Sequence, residues 1–582
     1  MSIADVNLEI DEKIIPMQRE WSGYWIAPPV CETGYQKGDY PKERFLFRRE
    51  AALEQIQGLT LFISAGARYE LYINQARITE GPPSGQPHNK YYDQIQLDSY
   101  VKKGVNCFAI VVTSNWDEPV GLLMELRDNE NKVLFQTDTD WKVTSNNGWR
   151  NAEYPYHGLL NTSRQEIFDA RKHPQGWELV GFDDSSWSSA EFKSYAGELP
   201  WYNMVPRGIP MLGEEIIMPH AVTCVEEGMD LECRDVKESL SLRLSAPGKP
   251  IEYTLAENVD SLLSSDGCAQ FRCSLNHLQD RAFDGIWSPG IVLDFGKVHM
   301  GYFEIDIEGT EGAFVEIGYV ERLTNGYFNN SIQVPNADRY ALRNGRQTFR
   351  CINPKTYRYV KIRFMRSFET VKLHGARCIA CGYPYENKGS FTSSDITLEK
   401  CFEISRHTIR LCSFDMFTDS PWRENAQWLG DVSAVTLGGV YACFGDSDSQ
   451  GKFLRQAMEV LMPNGLLSQH VAGFYAGGAN SRGYYRVLAT YSLWWVYALW
   501  NHYQYTGDRS FIDEGYPVVI RIILFHLKHL NKKGIITGLS DWTFFDHTFK
   551  VHRKGHESAL YTAFFHGIAK LVQQMAELKN DC

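Results

Sequence analysis

Nowhere in the 582-residue chain does an uninterrupted apolar run reach the ~18 residues that a bilayer-spanning helix needs, which sets a membrane span aside. No block of Lys or Arg stands out and the formal net charge is −12, so a nucleic-acid partner is not expected. The opening residues are acidic and carry no basic start followed by an apolar run, so no secretory leader is expected. Cysteine is sparse and odd in number: 13 residues, scattered, many inside apolar runs such as Val105-Asn106-Cys107-Phe108. That usage reads as reduced, buried thiols of a cytoplasmic protein. Cys378-Ile379-Ala380-Cys381 has C-x-x-C spacing but no second pair, and reads as a coincidence within a strand rather than a metal or redox site. Histidines such as His470, His547 and His556 are scattered, and none of them pairs with another at ligand spacing on one helix.

What is present is ordinary for a soluble globular protein, with 43% hydrophobic and 22% charged residues. The length allows about three or four domains. Aromatic residues are plentiful at 13%, including 15 Trp and 31 Tyr, which suits carbohydrate binding and β-sandwich cores alike.

Residues 1–20 read as a lead-in. From Trp21 the chain turns to short alternating apolar runs: Thr60–Ala65, Arg68–Asn74 and Cys107–Val112 read as strands, separated by turn clusters such as Gly81-Pro82-Pro83-Ser84-Gly85. Many short strands punctuated by Gly and Pro predict an antiparallel, jelly-roll-like β-sandwich over 21–200. In Gly181-Phe182-Asp183-Asp184-Ser185-Ser186-Trp187 the acidic and hydroxyl residues are turn chemistry, and Trp187 is expected to pack on the sandwich edge. A second β-sandwich domain is expected over 201–387, with strands at Ile291–Lys297, Gly301–Ile307, Val315–Tyr319 and Tyr359–Phe364. Its acidic residues Glu316 and Glu321 read as belonging to a solvated strand face.

At Gly389-Ser390-Phe391-Thr392-Ser393-Ser394-Asp395 the period changes. Ser394 or Asp395 can cap a helix, and apolar residues recur at helical spacing through Leu398, Phe402, Ile404, Ile409, Leu411 and Cys412. Helices are expected near 396–413, 424–443, 452–462, 486–505, 511–530 and 558–578, packed as hairpins over 388–582.

The chemistry concentrates in Asp419-Ser420-Pro421-Trp422-Arg423-Glu424-Asn425-Ala426-Gln427-Trp428-Leu429-Gly430-Asp431. Pro421 favours a helix start, because its missing N–H costs nothing there. A helix beginning near Pro421 would leave Asp419 in the preceding loop, Glu424 in the first turn and Trp428 one turn further on the same face, with Asp431 beyond. Three carboxylates, a guanidinium and an indole could then share one mouth. Glycoside hydrolysis wants such a set: two carboxyl groups flank the scissile bond, one of them held protonated, and crowded carboxylates raise one another's pKa. Trp offers a flat apolar face to a sugar ring. The plainer reading is an acidic helix start that complements the helix dipole, with Arg423 as a solvated partner.

This stretch resembles the signature of the bacterial α-L-rhamnosidases of glycoside hydrolase family 78, in which Asp-Cys/Ser-Pro-x-Arg leads through an acidic residue to Trp-x-Gly-Asp. Further resemblances lie in Glu166-Ile167-Phe168-Asp169-Ala170-Arg171, in Asp294-Phe295-Gly296 with Tyr357-Arg358-Tyr359-Val360, in Tyr491-Ser492-Leu493-Trp494-Trp495 and in Ser540-Asp541-Trp542. The resemblance implies β-sandwich domains before an (α/α)6 barrel, and inverting hydrolysis of terminal α-L-rhamnose with no cofactor or metal. It implies Glu424 as general acid, Asp419 and Asp431 as catalytic-site carboxylates that hold sugar hydroxyls and tune the acid, and Arg423, Trp428, Asp541 and Trp542 as substrate-binding residues. The expected partner is a rhamnose-containing glycoside or oligosaccharide.

The chain departs from the family pattern at its C-terminal side. About six helices are expected where the barrel needs twelve, and the family's general-base Glu maps to no residue here; Glu557 lacks its context. A first-half barrel would expose apolar helix faces, an invitation either to association, as in a homo-oligomer, or to poor folding. Two other readings follow: a rhamnoside-binding fragment without turnover, and another six-hairpin enzyme such as a glucuronyl hydrolase or lyase. The latter calls for basic residues near the mouth, where Arg423 stands alone in the sequence.

Overall fold

The computed structural model describes the chain apart from residues 1–19, 30–43, 114–118, 146, 152–165, 230–235, 278–283, 332–335, 423–425, 472–486, 540–556 and 582. Sheet-rich domains come first and a helical region follows. The chain divides into two compact units, Met1–Ser145 with Gln175–Arg207, and Asn146–Pro174 with Gly208–Cys582.

The first unit is a sandwich of two mostly antiparallel sheets. One runs in the order Glu191–Tyr195, Tyr24–Ala27, Leu122–Arg127, Thr60–Ala65, Asn89–Gln96, Asn203–Pro206; the other runs Ser188–Ser189, Lys142–Thr144, Arg44–Leu53, Gly104–Thr113, Arg68–Ile73, Ala76–Gly81. Alternation explains the register. In Arg68–Ile73, Tyr69, Leu71 and Ile73 point inward and the residues between them do not. They meet Phe45, Phe47, Ile63, Phe108, Ile110 and Met124 in one core, each fully buried aliphatic side chain stabilising by roughly 1.5–3 kcal/mol. Arg48 is buried and fastens the turn at 176–187: its Nε donates to the Trp177 carbonyl at 3.0 Å, and its guanidinium pairs with Asp184. Trp187 stacks on Trp177 with centroids 6.2 Å apart.

In the second unit one large sheet system is built on a single long strand, Asp284–Gly309, paired with Lys355–Met365 and Val371–Gly382. The two strands read at 291–297 and 301–307 are parts of this one element, broken in register between Asp294 and His299. Gly296 lies at φ 80° in that break, and the Asp294 carboxylate accepts its N–H at 2.7 Å. Arg358 clamps the same carboxylate with two bonds of 2.8 Å, so the Asp294 and Arg358 segments are in contact. The Arg358 guanidinium holds the Asp294 carboxyl below its ordinary range.

Several features differ from the sequence reading, among them residues 201–207, expected in the second domain and found in the first unit, where Asn203–Pro206 pairs with Asn89–Gln96. Glu316 is fully buried rather than solvated: the helix α1, Val236–Ser245, covers that face of its strand, and Arg243 and Arg339 pair with the carboxylate. Glu321, at the end of the strand, is half-buried, and burial raises its carboxyl. Residues 146–174, placed in the N-terminal module from sequence, join the second unit. Glu166–Asp169 pairs in parallel with Ala337–Ala341, and the buried Glu166 carboxylate meets Lys355 Nζ at 3.3 Å and the N–H groups of Ile352 and Asn353 at 3.0 and 2.7 Å. Cys378 and Cys381 lie in one strand, and all ten described cysteines are thiols.

The helical region contains α2 (Ile396–Leu411), α3 (429–444), α4 (Asp448–Met458), α5 (Ala489–Thr506), α6 (Ser510–Leu527) and α7 (Ala559–Lys579). Asp395 caps α2 by accepting the Thr397 N–H at 2.8 Å. The helix α3 begins at Leu429–Asp431, passes through a π-helical turn at Val432–Thr436 and returns to α form over Leu437–Phe444. At the centre stands α5, packed against α3, α4, α6 and α7. No residue of α2 is buried; Phe402 and Ile409 lean on the core, while Leu398 and Ile404 are exposed. No helix among the described residues is long and apolar enough to cross a membrane.

Candidate active site

The expected helix start at Pro421 is not what forms. Pro421 and Trp422 lie in a turn, Gln427–Trp428 is a short strand paired with His470–Val471, and Leu429 is the first helical residue among those described in the stretch. Two interactions keep the stretch extended. The Leu429 N–H donates to the Gln469 carbonyl at 2.9 Å, and the buried Gln427 side chain accepts the Phe417 N–H at 3.0 Å. Trp428 is therefore not on a helix face one turn from position 424.

Asp419 sits where the chain closes on itself. Its N–H donates to the Ala426 carbonyl at 3.1 Å, its Oδ1 accepts the Ala426 N–H at 3.3 Å, and its Oδ2 accepts the Ser420 hydroxyl at 2.8 Å. Trp428, two positions after Ala426, lies against His470 with ring centroids 3.8 Å apart. Burial pushes His470 down to about 4, so near neutral pH the ring is an uncharged backing for the indole. The edge of Trp428 meets Tyr491 of α5 at 6.3 Å and 87°. Tyr491 Oη donates to Asp431 Oδ2 at 2.8 Å. Gly430 makes room for that ring: a Cβ there would come within 2.3 Å of it. Trp428, Gly430, Asp431 and Tyr491 thus form one packed group, and Asp431 is an exposed residue.

Trp422 packs on the sheet domain of the same unit, beside Val292, Val320 and Phe328. Burial pushes the Cys412 thiol up to about 12, with the Asp419 and Glu321 carboxylates adding to the effect. Glu321 is thus a carboxyl near this site that the alternating strand pattern did not disclose.

Of the expected site residues, Arg423, Glu424, Asp541 and Trp542 lie outside the described residues, as do the histidines His547 and His556. Tyr491 brings Trp428 and Asp431 together, and Asp419 is tied to Ala426 in the same stretch; Tyr491, His470 and Gln427, quoted from the sequence without a place in the site, join it. Glu557 is exposed and accepts a bond from Asn531 at 2.7 Å. Among the described residues no three His, Cys, Asp or Glu side chains gather as metal ligands. Carboxylates beside an indole with an uncharged backing can hold sugar hydroxyls and a sugar's apolar face.

Three family models match the chain: the bacterial α-L-rhamnosidase six-hairpin glycosidase domain over 386–581, the bacterial α-L-rhamnosidase concanavalin-like domain over 288–378, and the α-L-rhamnosidase N-terminal domain over 54–206. Among curated relatives, an α-L-rhamnosidase of Formosa agariphila is 21% identical over 92% of this chain and 53% of its own length. One from Alteromonas sp. is 19% identical over 87% and 50%. The chain therefore spans about half the length of the curated relatives it matches. The fold is shared with the family 78 rhamnosidase of Bacillus sp. GL1, at TM-score 0.77 and 19% identity over 96% of this chain and 74% of that one. It is also shared with the Streptomyces avermitilis α-L-rhamnosidase solved with L-rhamnose, at TM-score 0.63 and 17% identity over 93% and 47%. The helical region is the part matched by the six-hairpin glycosidase domain, which sets the class of protein. The chain belongs to the bacterial α-L-rhamnosidases of glycoside hydrolase family 78.

Proposed function

We propose that the protein hydrolyses terminal α-L-rhamnose from α-L-rhamnosides with inversion at the anomeric carbon. The observation that carries this reading is the packed group of Trp428, Asp431 and Tyr491 beside the loop that Asp419 closes. Glu424, in the sequence of that loop, is the general acid that protonates the leaving oxygen. Asp419 and Asp431 hold ring hydroxyls, Arg423 orients Asp419 or a hydroxyl, Trp428 and Trp542 serve the sugar's apolar face, and Asp541 is a further substrate-binding residue. Inversion needs a second carboxylate to activate water on the opposite face of the sugar, and that base is not assigned among these residues. The thiols fit a cytoplasmic setting.

The test is hydrolysis of an aryl α-L-rhamnoside by the 582-residue chain, with the first-formed sugar followed by NMR and L-rhamnose binding followed by calorimetry. Initial release of β-L-rhamnose supports the proposal. Initial release of the α anomer contradicts inversion, and binding without turnover favours a rhamnoside-binding role instead.

A further inference from the structure

We propose that Gln427 is a positioning residue whose side-chain amide clamps both ends of the loop from Phe417 to Gln427 and so fixes the Asp419 carboxylate. The proposal rests on the reading that Asp419 holds the sugar. Gln427 is 1% exposed. Its backbone is committed to the short strand with Val471, which ties it to the wall behind Trp428. Its Oε1 reaches across to accept the Phe417 N–H at 3.0 Å, and its Nε2 donates to Gln456 Oε1 of α4 at 3.2 Å. Gln456 is fully buried and Phe417 nearly so, which makes this a three-point junction among the start of the loop, its end and a core helix.

The junction lies two residues from Asp419 in the chain. Thr418 donates its N–H to the Cys412 carbonyl at 2.9 Å, and the next residue is held against Ala426 by the bonds already described. In sequence, Arg423 and Glu424 lie between the two clamped ends. One acceptor and one donor on a single planar group are needed, because the Phe417 N–H offers hydrogen and the partner on Gln456 accepts it. An apolar side chain of the same length fills the space and makes neither bond.

Two isosteric variants test this. Gln427→Met keeps the volume and removes both bonds. Gln427→Glu, measured near pH 5, where a buried carboxyl stays protonated, offers one acceptor and one donor as the amide does. We expect Gln427→Met to lower kcat/KM on an aryl α-L-rhamnoside by about tenfold or more, Gln427→Glu to stay within about threefold of the parent, and both to keep the parent's far-ultraviolet circular dichroism. Hydrogen exchange at the amides of Thr418 and Asp419 should quicken in the Met variant alone. Parent-like kcat/KM and exchange in Gln427→Met would overturn the proposal, and so would a Glu variant as impaired as the Met variant. If the parent chain neither hydrolyses nor binds rhamnoside, the functional reading falls, and the exchange comparison still decides whether the clamp exists.

Discussion

Replacing Tyr491 by Phe removes one oxygen and leaves the ring. The ring keeps its place over Gly430 and its edge contact with Trp428, so packing is conserved. What goes is the 2.8 Å bond to Asp431. A hydrogen bond to a charged acceptor contributes about 1.5–3 kcal/mol when both groups are dry. Asp431 is exposed, so water takes the vacant place and the net loss falls to about 1 kcal/mol. If Asp431 holds a sugar hydroxyl in the transition state, losing its anchor should lower kcat/KM by about fivefold. The melting temperature should fall by a few degrees at most. Tyr491→Ala provides the contrast. It empties a buried site beside Trp428 and should cost about 3–5 kcal/mol, chiefly as stability. Steady-state kinetics beside thermal melts separates the two. A Phe variant with unchanged kcat/KM would refute the idea that Asp431 needs its tether. A Phe variant as unstable as the Ala variant would refute the claim that the ring carries the packing.

Gly430→Ala places a Cβ where Tyr491 already is; the overpacking should cost about 1–3 kcal/mol and displace the tyrosine, so kcat/KM should fall further than in Tyr491→Phe, measured with the same two assays. Burial pushes His299, His470 and His526 each to about 4, against about 6.5 in the unfolded chain. Their folded-state pKa values are depressed, so the unfolded state takes up protons first as pH falls. Stability is then lost between about pH 6.5 and 4, by roughly 3 kcal/mol for each such histidine. Melting temperature against pH should show this slope, and His526→Phe should flatten it; a slope unchanged by that variant would contradict the assignment.

The strands of the first unit were legible because one face is dry and the other wet, which writes burial into alternate residues such as Tyr69, Leu71 and Ile73. One helix cap was legible too, for a local reason of its own: Asp395, offered together with Ser394, caps by its own chemistry. The chemistry-bearing stretch was found by its residue types, yet its conformation was misread. Pro421 is a fair local signal for a helix start, but the strand partner His470–Val471 and the tyrosine that holds Asp431 lie far away in sequence and outvote it. Glu316 shows the same limit: alternation predicted a wet face, and a helix from another part of the chain covers it. The placement of Glu166–Asp169 depends on a parallel partner strand about which its own sequence says nothing.

The central claim is that Glu424 serves as the acid of a rhamnoside hydrolase, and the most direct measurement is turnover of an aryl α-L-rhamnoside by the parent chain and by Glu424→Gln, with L-rhamnose affinity taken on the same samples. The amide keeps the shape of the acid and cannot give up a proton in its place. The account predicts that the parent turns the substrate over, and that Glu424→Gln binds L-rhamnose nearly as well while turnover disappears. Full activity in Glu424→Gln would contradict it.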